Sequence, residues 1–122
     1  MANDFKRFTK ASVTTSTGTS GDAVYTVPSA GGTAMESIII GIYLSNKATT
    51  GVTASVFLDG YGGASSDVYL VKDATIPAGS SLEVVSGGKI VVQGNGTAND
   101  AVRLSCSTAT SLDATLSVLE DV

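Results

Sequence analysis

Apolar residues in this chain recur at every second position, in short runs, and almost nowhere at helical spacing. No stretch carries them at i, i+3, i+4 and i+7 without a Gly, a Pro or a Ser/Thr cluster crossing it. A period of two is the strand period, because successive side chains of a strand point to opposite faces. One face is predicted to hold Ala23, Tyr25 and Val27 in one run, and Ile38, Ile40, Ile42 and Leu44 in the next. Further runs place Val52, Ala54, Val56 and Leu58 together, then Val68 with Leu70, Leu82 with Val84, and Ile90 with Val92. Val102, Leu104 and Cys106 follow, and Leu112, Ala114, Leu116 and Val118 close the series. A weaker run lies around Thr9 to Thr15.

Turn chemistry separates these runs. Pro77 fixes φ and lacks an amide proton, so the chain must leave a sheet there, and Gly87-Gly88 marks a second hard corner. Asp59-Gly60 and Asn95-Gly96 supply positive φ cheaply. Thr14 to Asp22 reads as a loop within one domain. The 16 Ser and 15 Thr fill turns and the faces opposite the core. These features predict an all-β fold, a single antiparallel, jelly-roll-like β-sandwich of about eight or nine short strands.

At 122 residues the chain suits one domain. Its longest apolar run, Ile38 to Leu44, is far short of the roughly 20 residues that span a bilayer. No apolar segment follows the charged N-terminus, so no signal peptide is expected. Charge is uneven. The first ten residues carry +2 and the remainder −6, within an overall −4. The acidic body should repel nucleic acid and anionic membrane, so neither is an expected partner. Residues 1–12 read as a basic-aromatic docking arm ahead of a sandwich domain at 13–122. Phe5, Lys6, Arg7, Phe8 and Lys10 are then candidates for gripping an acidic protein surface.

Chemistry-bearing residues are scarce. The chain has no His, and its one cysteine, Cys106, alternates with Val102 and Leu104 as a buried hydrophobe would. The acids sit mostly at strand ends or beside Gly and Ser, where they cap turns. No catalytic residue, cofactor or metal is expected. The loop from Asp59 to Asp67 offers a weak calcium pattern and reads better as a plain loop. Apolar and aromatic residues opposite the expected core point instead to contact surfaces. Ile39, Tyr43, Tyr69, Val71 and Val85 fall on such second faces, and Tyr61 on a loop. A strand apolar on both sides is usually covered on both, here by another subunit. Exposed tyrosines could alternatively stack on sugar rings.

The order of features resembles a family of small virion proteins of tailed bacteriophages, frequent in phages of marine bacteria and cyanobacteria. The matching parts are Tyr25-Thr-Val-Pro28, the strand ending in Ser45-Asn46, and the Ile76-Pro-Ala-Gly79 corner. Leu82-Glu83-Val84, Lys89-Ile90-Val91 and a closing Leu-Ser-x-x-Glu from Leu116 to Glu120 complete it. "NGTANDAVRLS" departs from the short Gly-Asp turn expected after Gly94. The resemblance implies a non-enzymatic structural protein of the virion, assembled in the host cytoplasm. A capsid decoration or cement protein is the leading expectation, bound to the major capsid protein through the arm and one sheet face, as a homo-oligomer in trimeric clusters. A tail, neck or baseplate/fibre component is the runner-up, and a host-glycan-binding lectin domain a third reading.

Overall fold

The alternating runs become nine strands in a computed structural model that describes residues 3–28, 35–85 and 88–121. They are β1 (Asn3–Lys10), β2 (Asp22–Thr26), β3 (Met35–Asn46), β4 (Val52–Asp59) and β5 (Val68–Ile76). Then come β6 (Ser81–Glu83), β7 (Ile90–Gly94), β8 (Ala101–Cys106) and β9 (Leu112–Asp121). One sheet runs β1-β9-β3, with β6 and β7 both on the far side of β3. The other runs β2-β8-β4-β5. All pairings are antiparallel. The chain changes sheet at every step except β4 to β5 and β6 to β7, which is jelly-roll order. The sandwich expectation therefore holds.

Between the sheets lie Ile39, Ile42, Leu44, Val56, Val92, Leu104, Leu112 and Leu116, all essentially without exposure. Truncating any of the larger ones to Ala costs about 2–5 kcal/mol. Cys106 is buried among them. The alternation expected for β4, β8 and β9 is the one observed, apart from a half-buried Leu58.

Three strands depart from simple alternation, each because it holds an extra residue. In β3, Ile39 pairs with Val118 and Gly41 with Ser117, so Ile40 is a bulge. Side chains before it are in phase with Met35, Ser37 and Ile39, and those after it with Ile42, Leu44 and Asn46. Ile38 and Ile40 consequently face outward and Ile39 inward, the reverse of the sequence expectation. In β2 the register slips around Val24, which buries both Val24 and Tyr25 and exposes Ala23. In β5 two residues are extra relative to β4, so no regular buried face develops and Val68 is exposed. Val85, expected on an outer face, is buried in the core.

Two further points correct the sequence reading. Residues 3–10 form a full strand, in unbroken register with β9 from Asn3↔Asp121 to Lys10↔Ala114. And β6 and β7 run in the same direction along β3, pairing with Tyr43–Ser45 and Met35–Ile39 respectively. The step between them is thus an interruption in one edge, not a reversal; Gly87 itself lies outside the described residues. The corner at Pro77 is real. Gly79 takes φ +71, a conformation a β-carbon penalises, and its N–H donates to the Asn46 carbonyl at 3.1 Å. Buried Asn46 donates in turn to the carbonyls of Thr50 and Ile76, tying three chain segments together.

Candidate functional site

Beyond its ladder with β9, β1 is tied to the body by one buried carboxylate. Glu120, on β9, is 1% exposed. Its Oε2 accepts the Tyr25 hydroxyl at 2.6 Å, and its Oε1 meets the Lys6 ammonium at 2.9 Å. A phenol has one proton to give, so the Ser37 hydroxyl at 2.8 Å donates to the Tyr25 oxygen. Burial, with Glu120 beside it, holds the Tyr25 pKa far above its ordinary value. The same carboxylate, by hydrogen bond and by charge, raises the pKa of Lys6. Phe8 packs on Tyr25 with ring centroids 4.9 Å apart. Lys6, Phe8 and Lys10 share this inward side of β1, opposite buried Val118, Leu116 and Ala114 of β9. Of the five arm residues, only Phe5 and Arg7 project outward.

Phe5 is 78% exposed and heads a row of apolar residues across the outer face of the five-stranded sheet. It pairs with Leu119, Leu119 with Ile38, and Ile38 with Val91. Val91 is 59% exposed. Four strands at about 4.8 Å spacing make this stripe roughly 14 Å long. On one side of it stands exposed Glu36, paired with Gln93. On the other stands Arg7, opposite Ser117, and exposed Lys89 immediately precedes Ile90, the partner of Ile39, at the same end of β7. Of the seven large hydrophobics strongly exposed among the described residues, Phe5, Ile40, Tyr43 and Val91 lie on this one face. Tyr43 sits further along β3 against Glu83, whose hydrogen bond raises the tyrosine pKa.

The remaining candidates do not join this surface. Ile39 is fully buried, because the bulge turns it inward, and it cannot contact a partner. Tyr69 lies on β5 of the other sheet, edge-on to Phe57 at 4.9 Å and beneath the Lys72 ammonium. Tyr61 is in the β4–β5 connection, where its N–H donates to Asp100. Asp100, buried, also accepts the Gln93 N–H, pinning that loop to β7. Asp59 and Asp67 are occupied structurally: Asp59 accepts Arg103 Nε at 2.8 Å and Asp67 the Gly60 N–H at 2.8 Å. Among the described residues no cluster of three or more acidic, His or Cys side chains could hold a metal ion.

One depression, of about 160 Å³, opens on the four-stranded sheet. Its lining is hydroxyl-rich, with Thr17, Thr53, Ser55 and Ser105 around the single carboxylate of Asp73. Asp73 is itself in a β5 bulge at φ +51, its N–H donating to the Ser55 hydroxyl. Sequence reasoning missed Glu120, Asp100 and this depression. The available signal for Glu120 was Tyr25: a phenol expected to face the core needs a polar partner there. No known protein family matches the chain, and no curated protein does either.

Proposed function

We propose that this protein is a non-enzymatic accessory structural component of a tailed-phage particle, acting as a capsid decoration protein on an acidic region of the shell. The observation that carries the reading is the exposed apolar and basic surface around β1. A soluble chain gains nothing from leaving Phe5 and Val91 uncovered, and a contiguous exposed apolar patch marks an interaction site. β1 is fastened to the core through Glu120, so Phe5 and Arg7 are presented from a rigid strand and little ordering entropy is lost on docking. The resemblance along Tyr25 to Glu120 supplies the virion context, and jelly rolls serve widely as particle-building and lectin modules.

Cryo-electron microscopy of the particle tests this directly. Density for the sandwich on the icosahedral shell, with β1 against it, is the expected result. Density confined to the neck, tail or fibres would reassign it as a tail component, and its absence from purified particles would overturn the virion reading. The hydroxyl-lined depression favours a second reading, a glycan-binding domain. On that reading a Phe5→Asp/Arg7→Glu variant keeps its sugar affinity, whereas a decoration protein loses the particle.

A further inference from the structure

We infer that the outer face of the five-stranded sheet is a self-association surface, on which two copies pack about a two-fold axis lying along the Phe5–Leu119–Ile38–Val91 stripe. The argument goes beyond the virion reading and does not depend on it. An apolar stripe alone does not choose its partner; the charges bordering it do. Glu36 lies on one side, Arg7 and Lys89 on the other. Rotating a copy by 180° about the stripe lays the acidic border of each molecule over the basic border of the other. β3 then crosses its own copy antiparallel, and Glu36 of each falls beside Lys89 of its mate, one strand over. The alternative two-fold, parallel to the strands, sets β1 over the other copy's β7. That brings Arg7 onto Lys89, a like-charge contact, and is disfavoured.

Edge-to-edge pairing through β1 is disfavoured as well, since it would bring together two strands that each carry Lys6, Arg7 and Lys10 against Asp4 alone. The face is the only self-complementary arrangement of the two. Its size sets its strength. Four strands and about three residue rows cover roughly 400 Å² per copy, about half the area of a standard interface. The dimer is therefore a weak, concentration-dependent one. Packed this way, each copy's Phe5 lies beneath its mate, so self-association and docking of this face on another surface exclude one another. The pairs inferred from this face are two-fold, where the sequence reading expects trimeric clusters.

Sedimentation velocity of the full chain over a concentration series up to ~100 µM tests the proposal. Reversible dimerisation is expected. Val91→Asp is expected to abolish it, with circular dichroism and melting confirming an unchanged fold. Glu36→Lys and Lys89→Glu are each expected to weaken the dimer by about tenfold at low salt. The double variant Glu36→Lys/Lys89→Glu is expected to restore it, because every copy carries both halves of the exchanged pair. A chain that stays monomeric throughout, a trimer indifferent to Val91→Asp, or single charge reversals without effect would each overturn the inference. The particle reading would stand in all three cases, since it is read from localisation.

Discussion

The two ends of β9 carry the same kind of bond in opposite surroundings. At one end, Glu120 meets Lys6 at 2.9 Å; at the other, Asp113 meets Lys47 at 2.8 Å. Each carboxylate fastens the N-terminal region to the last strand, Glu120 through Lys6 and Asp113 by accepting the Ser12 N–H at 2.9 Å. Distance does not tell them apart. Asp113 is 43% exposed, whereas Glu120 is sealed in with two hydroxyls that have no water to fall back on. Water screens the first pair and leaves it worth little. The second is a small buried network in which each group's loss strands another.

The largest effect should follow Glu120→Ala. Leaving the Tyr25 and Ser37 hydroxyls unpaired and a void beneath β1 is expected to cost about 3 kcal/mol in urea unfolding. Replacing polarity on both sides tests whether the cost lies in stranded groups or in the ion pair. Glu120→Leu with Tyr25→Phe is expected to recover most of that loss. Full additivity of the two single changes would mean that the residues do not act together. Tyr25→Phe alone should cost about 1–2 kcal/mol, since Glu120 then keeps only Lys6. At the exposed end, Asp113→Ala is expected to cost no more than about 1 kcal/mol, and less at high salt. A loss at Asp113 equal to that at Glu120 would break the comparison.

The two ends should also separate in pH. Tyr25 and Lys6 both have folded pKa values above their ordinary ones, so the native state keeps protons that the unfolded chain releases. Their contribution is intact below about pH 10 and declines as pH rises beyond it, and Tyr25→Phe should flatten that decline. The Asp113 pKa is lowered, first by its hydrogen bond from Lys47, then by the Ser12 N–H. Its smaller contribution is intact above the ordinary value of 3.8 and disappears as pH falls below it, unless Asp113→Asn has already removed it. Melting temperature against pH reads both limbs.

How much of this was legible in the sequence follows from what period two can encode. β8 and β9 keep one residue opposite one residue against β4 and β1, so their inward sets, Val102, Leu104 and Cys106 and then Leu112 to Val118, could be written down directly. In β2 and β3 a single surplus residue flips every side chain beyond it, and β5 holds two. Nothing local announces that: Ile38, Ile39 and Ile40 are the same residue, and only the strand opposite decides which two turn outward. Glu120 was hidden for another reason. A carboxylate near a strand end reads as a solubilising edge residue, and its partner Tyr25 is 95 positions away. The outer-face stripe needed cross-strand register, which one sequence does not print. Its two most exposed members, Phe5 and Val91, were read as parts of unrelated segments.

A sandwich of two open sheets has four edges, and three of these are unfit to accept a further strand. β2 is slipped at Val24, β5 carries two surplus residues, and the edge formed by β6 and β7 is broken between Glu83 and Ile90. β1 alone is regular over eight pairs. Fibril growth by strand addition is a chain reaction that needs a donor end and an acceptor end on every molecule. This molecule has one usable end, and that end repels its own kind. Copies can be crowded to high local density without seeding a polymer, and any ordered growth has to proceed through faces, where geometry limits it to two.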